Sequence, residues 1–413
     1  MMIDGANTVF ILLCTMLVLL MTPALAMFYS GMTKSKNALS TIMNSFVVFG
    51  VVAIEWALIG FTLSFGHDTG IGIIGGFNFF ALENLKGVNE NGVPNLLFML
   101  FQMMFAIIST AIIGGSLVGR VRFSVIIIFT TLWSLIVYNI LAHATWSENG
   151  FLLHRGGLDF AGGGVVHISA GIAGLVGALV IGCRKSHMIE GNMPHNLPFS
   201  FLGAMLLFFG WLGFNAGSSG AIDEVAVHAL VATILAAAAG LLGWLSIEWI
   251  KYKKPTLLGG TTGLIAGLVA ITPAAGYVSP IPAVIIGFLA SPLCFFGISY
   301  VKAKLKYDDT LDAFGLHGIG GIWGGIATGL FASSGINDAV GKIASEGLFY
   351  SGSFHLLGEQ VFGVLFSIIL SGVVSFVIFK ILSLFMRLRV EDRAEDDGLD
   401  VSLHGEEAYN ILE

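Results

Sequence analysis

Two histidines lie deep inside apolar stretches of this chain, and each follows an aspartate by a few residues. His167 ends the phrase Asp159-Phe-Ala-Gly-Gly-Gly-Val-Val-His, and His317 ends the phrase Asp312-Ala-Phe-Gly-Leu-His. An ionisable side chain at membrane depth is costly, so such a residue is a functional-site candidate by default. Neutral imidazole offers one hydrogen-bond donor and one acceptor. The pair could therefore line a path for a small, weakly polar solute or relay a proton.

The residues alone leave three interpretations of this pair open. Each histidine could be a buried neutral side chain satisfied by one hydrogen bond, or the two could begin a metal site. A metal site would lack a nearby third ligand unless Asp159 and Asp312 left the helix ends, and none of the three cysteines has metal-ligand spacing. The repetition in two halves of the chain favours the third interpretation, a polar waist in an apolar pore.

The two aspartates lie where small-residue helices are expected to begin. A carboxylate at that position can accept hydrogen bonds from free backbone amides and oppose the helix dipole. The sequence therefore predicts that Asp159 and Asp312 are helix caps. Direct stabilisation of a substrate by Asp159 stays open as the alternative.

The composition is that of a polytopic membrane protein. The chain has 413 residues, of which 56% are apolar and only 11% are charged, and its mean hydropathy is +0.89. A soluble chain of this length would need a far more polar surface. The formal charge of −7 comes from residues 390–413, which hold nine acids and one arginine. No cofactor and no nucleic-acid partner is expected.

Apolar runs long enough to cross a hydrocarbon core of about 30 Å occur eleven times by our count. The approximate spans are 7–29, 39–65, 95–118, 123–143, 162–182, 197–217, 225–250, 256–275, 280–300, 311–331 and 356–386. Of the 19 Lys and Arg residues, fifteen lie in one alternate set of connections or just after the last span, and three lie in the other set. Because cytoplasmic loops carry the Lys/Arg excess, we expect the N-terminus outside and the C-terminus in the cytoplasm.

An all-α transmembrane domain over residues 1–386 and an acidic cytoplasmic tail over 387–413 follow from this count. Two five-helix inverted repeats are expected at about 7–182 and 197–331, with an extra helix at 356–386. The spans that carry the histidines then enter from opposite faces. At about 1.5 Å per residue, both histidines fall roughly 8–12 Å below their faces and could meet near the middle of the membrane.

Aromatic residues gather near the predicted outer ends of the spans. They are Phe101 and Phe105 in the third span, Trp146 after the fourth, and Phe214 with Ser218 at the end of the sixth. Each is ordinary alone, since aromatic side chains favour membrane interfaces. Together they could form a cage of ring faces and a hydroxyl, which suits a small cation with hydrogen-bond donors.

These phrases resemble the ammonium transporter (Amt/Mep/Rh) family, and its prokaryotic Amt type in particular. The matching segments include Phe28-Tyr-Ser-Gly, Asp159-Phe-Ala-Gly-Gly, Gly210-Trp with Gly-Phe-Asn-Ala-Gly-Ser, Ile271-Thr-Pro-Ala-Ala-Gly-Tyr-Val, and the tail phrase His404-Gly-Glu-Glu-Ala-Tyr. The resemblance covers nearly the whole chain. It implies a transporter rather than an enzyme, in the inner (plasma) membrane, that moves ammonium or ammonia and accepts methylammonium as an analogue.

The resemblance also implies roles for the residues singled out above. The resemblance implies that Phe101, Trp146 and Ser218 recruit ammonium on the external side, and that Phe105 and Phe214 form a stacked gate. It implies that His167 and His317 form the twin-histidine pore, and that Asp159 is the acidic residue of the vestibule. A homotrimer with one pore per subunit is implied as well. So is a PII-type signal protein that docks at the cytoplasmic face, with the tail joining this regulation.

Two positions depart from the family pattern. Gly119 stands where many relatives carry a glutamate, which could alter cytoplasmic coupling between subunits or to the tail. Glu55 lies inside the second apolar run, where an unpaired carboxylate would favour its protonated form. Glu55 is either one partner of a structural pair inside the bundle or a site of its own.

The mechanism expected from these residues is capture of ammonium outside, followed by loss of its proton near the gate. A full charge cannot cheaply cross an apolar bore, so ammonia passes the histidines and regains a proton inside. Whether the proton stays outside, giving a gas channel, or follows through the pore, giving an electrogenic transporter, is open. Two other classes are carried as alternatives: a sensor that binds ammonium but conducts little, and an intramembrane metal or histidine enzyme.

Overall fold

The fold of the chain is a bundle of long helices, seen in a computed structural model that describes residues 2–185 and 193–409. Over those residues the regular structure is helical and no β-strand is present. The main helices are α1 (Gly5–Met32), α2 (Ser35–Phe65), α3 (Asn95–Leu117), α4 (123–146), α5 (Gly163–Ile181), α6 (Leu197–Gly217), α7 (Glu224–Tyr252), α8 (Leu257–Ile271), α9 (Pro280–Leu305), α10 (314–331) and α11 (His355–Phe385).

In the described part of the chain, nine helical segments are long and apolar enough to cross a membrane. The helix α8 is apolar but shorter, and α10 consists of a π turn, Phe314–Gly318, followed by Ile319–Phe331. The predicted class, an all-α polytopic membrane protein, is confirmed. The count of eleven spans, the inverted repeats and the orientation stay predictions.

Helices α5 and α10 approach each other closely where the two histidines lie. A Cβ atom added to Gly171 of α5 would lie 2.4 Å from the backbone nitrogen of Gly318 in α10. Only glycine permits that separation, because any side chain would push the backbones apart. Small residues therefore bring the two histidine-bearing segments into contact.

Both of these segments are π-helical rather than α-helical. His167 lies in the turn Gly163–Ile168, and His317 lies in the turn Phe314–Gly318. Two further π turns, Trp56–Gly60 and Ser134–Tyr138, interrupt α2 and α4. Such turns are uncommon and are concentrated at functional sites.

The tail packs against the start of α2. Asp400 accepts hydrogen bonds from the amides of Leu39 (3.0 Å) and Ser40 (2.7 Å), and Asn37 accepts one from the amide of Leu399 (2.9 Å). A carboxylate is favourable there because the first amides of a helix have no partner inside it. The acidic residues of the tail therefore take part in specific contacts with the helical domain.

The turn after α3 requires a glycine at position 119. Gly119 has φ +83°, a left-handed conformation that residues with a Cβ rarely adopt. A Cβ there would also lie 3.2 Å from the Nδ2 atom of Asn37. The departure from the family pattern at this position thus matches the local backbone.

A buried cluster of ions joins this turn to the start of α10. Arg120 is fully buried and donates hydrogen bonds to the carbonyl oxygens of Gly182 (2.8 Å) and Asp308 (2.6 Å) and to the hydroxyl of Thr310 (2.7 Å). The guanidinium of Arg184 contacts both carboxylate oxygens of Asp308 at 2.7 Å. Burial alone would raise the pKa of Asp308, but Arg184 and Arg120 outweigh it and hold that pKa well below its usual range.

Asp308→Ala is expected to lower the free energy of unfolding by about 3–5 kcal/mol. It removes the carboxylate that lies 3.8 Å from the buried Arg120 guanidinium and that Arg184 contacts with two nitrogen atoms. Since the folded pKa lies below the unfolded value of about 3.9, the contribution of Asp308 is complete above that pH and is lost as the pH falls towards the folded pKa. Thermal unfolding of both proteins at neutral and acid pH measures this. Asp338→Ala, at an exposed pair with Lys342, is the control and should change little. Equal effects of the two substitutions would contradict the prediction.

Candidate functional site

The two histidines of α5 and α10 are direct neighbours in the core. Their Nδ1 atoms are 3.2 Å apart, and their rings are inclined by 26° with centroids 5.2 Å apart. Both side chains are buried, at 1% exposure for His167 and 4% for His317. A hydrogen bond between two Nδ1 atoms needs one donor and one acceptor, so the contact holds a single proton.

The surroundings of the histidine pair are otherwise apolar. The indole of Trp211 stacks on His167 with a centroid distance of 5.3 Å and donates its own N–H to the Thr272 hydroxyl (2.9 Å). A cavity of about 10 Å³ adjoins the pair, lined by residues that include Phe28, Ile112 and Leu207. That volume has room for about one water molecule. The Nε2 atom of His167 is buried without a hydrogen-bond partner among the described residues, so it is free to bind a small solute.

Two stacked phenyl rings lie beside this cavity. Phe105 and Phe214 stack with centroids 4.1 Å apart and planes 22° apart, and both are almost fully buried. The ring of Phe214 also lies 6.3 Å from that of His167. The two rings are in van der Waals contact, and the space between them is too narrow for a hydrated ion.

A cavity of about 600 Å³ lies on the other side of the phenyl stack. Its lining includes Phe101, Phe105, Trp146 and Ser218. The ring of Phe105 lies 4.9 Å from that of Phe101 and 6.0 Å from that of Trp146. Four of the five residues that were expected to form a cage, namely Phe101, Phe105, Trp146 and Ser218, therefore line one vestibule. Phe214 stacks on Phe105 and lines the cavity beside the histidines instead.

Asp159 caps the helix that carries His167. Its Oδ1 accepts hydrogen bonds from the amides of Gly162 (2.9 Å) and Gly163 (2.6 Å), and its Oδ2 accepts them from Gly164 (2.7 Å) and Val165 (3.4 Å). The structure thus has the predicted helix cap. The carbonyl oxygen of Asp159 also accepts the indole N–H of Trp146 (2.9 Å), which connects the start of α5 to the vestibule wall.

The corresponding prediction for α10 is wrong, because its cap is Asp309 and not Asp312. Asp309 accepts hydrogen bonds from the amides of Ala313 (3.1 Å) and Phe314 (2.9 Å). Asp312 has φ +58° and pairs with the ammonium of Lys302 at 2.7 Å. The left-handed turn at Asp312 directs its carboxylate away from the helix start, and periodicity along the sequence does not reveal such a turn.

A second pair of a histidine and an aspartate, not predicted from the sequence, lies at the vestibule wall. Asp68 lines the vestibule and lies 3.0 Å from the Nε2 atom of His143. Burial alone would raise the pKa of Asp68, but hydrogen bonds from His143 and from the amides of Gly70 and Gly72 together lower it. His143 lies within the apolar run of α4. An ionisable residue in such a run is the sequence feature that could have indicated this pair.

The described residues contain no group of three or more His, Cys, Asp or Glu side chains that could hold a metal ion. The fold and the site together define a class: a polytopic helical membrane protein whose core holds a pair of buried histidines among apolar side chains.

The comparisons with known proteins identify the family within that class. The model of the Ammonium Transporter Family matches residues 9–409. The ammonium transporter of Bacillus subtilis is 50% identical over 98% of both chains, and the ammonium transporter Amt1 of Archaeoglobus fulgidus is 41% identical over 99% of this chain and 100% of its own. The chain belongs to the ammonium transporter family, whose named members are transporters and not enzymes.

Solved structures agree with this assignment. The crystal structure of Saccharomyces cerevisiae Mep2 has a TM-score of 0.88 and 34% identity, covering 94% of this chain and 91% of the other. A structure titled as a sensor Amt protein has a TM-score of 0.88 and 29% identity, covering 97% and 98%. The chain therefore shares its fold with Mep2 and with a protein whose title describes it as a sensor.

Proposed function

We propose that this protein conducts ammonium nitrogen as ammonia, with the proton removed before the pore and restored after it. The observation that supports this most is the unbroken order of rings from Trp146 through Phe105, Phe214 and His167 to His317. Successive centroids are 6.0, 4.1, 6.3 and 5.2 Å apart. This line joins a large vestibule to a cavity with room for about one small molecule.

Recruitment takes place in the vestibule, where Phe101 and Trp146 offer ring faces and Ser218 a hydroxyl oxygen. The Ser218 hydroxyl donates to the carbonyl of Phe214 (2.9 Å), so its oxygen lone pairs remain available to an N–H donor. Ammonium has four such donors, and a desolvated cation over ring faces gains about 2 kcal/mol or more. Potassium has the charge but no N–H to donate.

Deprotonation precedes passage, because an apolar bore of this width offers a cation neither water nor carbonyl oxygens. Asp159 contributes to deprotonation in two ways. Its negative charge lies beside the vestibule, and its carboxylate fixes the start of the helix that carries His167 through hydrogen bonds from four backbone amides. Ammonia then reaches the Nε2 atom of His167, which has no hydrogen-bond partner among the described residues and can form a hydrogen bond with it. Potassium has no proton to lose and is excluded without a dedicated filter.

Trp146→Leu is expected to raise the half-saturating ammonium concentration by roughly thirtyfold, the equivalent of about 2 kcal/mol of cation–π attraction. Uptake of labelled methylammonium into proteoliposomes, competed by ammonium, gives that concentration. Trp249→Leu is a matched control because Trp249 is 64% exposed on α7, away from the vestibule. An unchanged half-saturation in Trp146→Leu would remove this residue from the recruitment site.

The fate of the proton is tested by ammonium-evoked current on a supported membrane. A current in the parent protein that His167→Ala abolishes means that charge follows through the pore. Flux of ammonium nitrogen without current means that the proton stays outside and that ammonia alone passes.

We further propose a homotrimer in the inner (plasma) membrane, with the acidic tail on the cytoplasmic side and a PII-type signal protein as partner there. What supports a regulatory role is the way the tail reaches several loops. Asp396 pairs with Lys185 at 3.1 Å, the backbone carbonyl of Arg389 accepts a hydrogen bond from the Arg122 side chain (3.2 Å), and the hydroxyl of Tyr409 lies 2.9 Å from His195. A protein docking on these loops would alter the tail as well. The sensor alternative stays open because a structure titled as a sensor shares the fold.

A further inference from the structure

A buried carboxyl group between α2 and α4 has no place in the transport path described above. Glu55 is only 7% exposed. Its Oε2 atom accepts a hydrogen bond from the Ser134 hydroxyl (2.9 Å), and its Oε1 atom accepts one from the Asn139 amide (3.3 Å). The sequence left two alternatives for Glu55, a structural pair inside the bundle or a site of its own. The side chain does face the bundle interior, but both of its hydrogen-bond partners are neutral.

A seam of polar contacts continues from Glu55 to the vestibule. The Asn139 carbonyl oxygen accepts the Ser64 hydroxyl (3.1 Å), and the Ser64 backbone carbonyl accepts the Nδ1–H of His143 (3.0 Å). His143 then meets Asp68 at the vestibule wall. Apart from Asp68, which is half-buried, every side chain of this seam is buried, although both helices are otherwise apolar at this depth.

The tautomer of His143 follows from these contacts. A carbonyl oxygen can only accept, so Nδ1 carries a hydrogen and Nε2 faces the Asp68 carboxylate. The contact between Nε2 and Asp68 is a hydrogen bond only when it contains a proton. The outer end of the seam is therefore a proton-sharing pair that is open to the vestibule.

The backbone at the inner end of the seam is unusual on both helices. The π turn Trp56–Gly60 begins at the residue after Glu55, and the π turn Ser134–Tyr138 begins at its partner Ser134. Of the three other π turns in the described bundle, two carry the pore histidines and the third, Gly297–Val301, lies in α9. This is a second observation, independent of the carboxyl, that marks the place as a candidate site.

No lysine or arginine pairs with Glu55 among the described residues. Titratable groups on the elements packed against this part of α2 are Tyr138 and His143 on α4, with Cys14 and Tyr29 on α1. Helix α3 carries none, and Asp400 and His404 of the tail lie at the far end of α2. A carboxylate in hydrocarbon with no cation beside it is costly, whereas the carboxylic acid is tolerated.

We propose that Glu55 is a proton-binding site of this protein, separate from the histidine pair and communicating with the outer vestibule. The carboxylate takes one proton from hydronium and releases water, and no other bond changes. The ionised form accepts hydrogen bonds from Asn139, as in the structure. The protonated form donates to the Asn139 carbonyl oxygen once the amide has turned over, and the amide then donates to Ser64. The proton on Glu55 thereby changes the hydrogen bond that Ser64 makes next to His143.

Infrared difference spectroscopy on the full-length protein in liposomes tests the site without relying on conduction. On acidification the parent protein should gain a carbonyl band of a protonated buried carboxyl, and Glu55→Gln should lack it. Ser134→Ala removes one of the two hydrogen bonds to the carboxyl, so the same band should appear at a shifted frequency. A parent band that does not change with pH would overturn the proposal and leave Glu55 as a structural contact.

The coupling to transport is tested by the pH dependence of methylammonium uptake. The parent should contain a component that varies by up to about tenfold per pH unit, the slope of one bound proton, and Glu55→Gln should lack it. Glu248→Gln is a matched control, because Glu248 is a buried carboxyl that accepts hydrogen bonds from Thr256 near the start of α8. Identical pH profiles for the parent and Glu55→Gln would exclude the coupling. If the parent protein itself shows no uptake at any pH, that result contradicts the proposed function and not the coupling to Glu55.

Discussion

Alanine at either pore histidine is expected to lower ammonium flux by roughly ten- to hundredfold, the equivalent of about 1–3 kcal/mol of lost hydrogen bonding to a buried solute. In His167→Ala, ammonia loses the free Nε2 atom, and His317 loses the Nδ1 partner at 3.2 Å. In His317→Ala, His167 loses the contact that fixes its ring. Methylammonium uptake and stopped-flow ammonia flux in proteoliposomes both measure the effect.

His154→Ala is the control for this pair, because His154 is exposed at the end of a short helix outside the core. Its flux should equal that of the parent. The double substitution is expected to cost less than the sum of the two single ones, since each single change already breaks the shared contact. Full flux in His167→Ala with normal folding would show that the pair is only a packing contact.

Asp159→Ala is expected to abolish transport and to lower stability by several kcal/mol. The substitution leaves four amides at the start of the pore helix without their acceptor, and each buried unsatisfied donor costs about 1–3 kcal/mol. The turn that places His167 then loses its shape. Thermal unfolding and methylammonium uptake measure the two consequences separately.

Two further variants make this prediction specific. Asp159→Asn keeps one acceptor oxygen but turns an N–H group towards amide donors, so it should retain part of the stability and little transport. Asp4→Ala removes the cap of α1, which accepts the Asn7 amide (2.9 Å) at an exposed helix start. That change should cost about 1 kcal/mol and leave transport intact. Normal uptake in Asp159→Ala would contradict the account of this residue.

The class of fold was predictable from the sequence because hydropathy alone requires it. Eleven apolar runs in 413 residues leave no soluble alternative, and the family assignment follows from long motifs. From the sequence, the contact between His167 and His317 could be judged possible but could not be predicted. Helical rise placed both at similar depth, but the lateral approach depends on Gly171 against Gly318, which no count of residues reveals.

The local details that the sequence did not reveal depend on backbone conformation. Asp309 rather than Asp312 caps α10 because Asp312 has φ +58°, and this turn type has no strong signal without glycine or asparagine. Asp68 meets His143 only because the segment after α2 folds back on the bundle. The π turns are likewise not indicated by any periodicity in the apolar positions.

The most direct test of the central claim compares ammonium and potassium flux through the purified protein in liposomes under equal gradients. We expect rapid ammonium flux and no potassium flux above that of empty liposomes, since only ammonium can lose its charge before the stacked rings of Phe105 and Phe214. Equal fluxes of the two ions would contradict it, because a path that carries potassium carries charge past the gate.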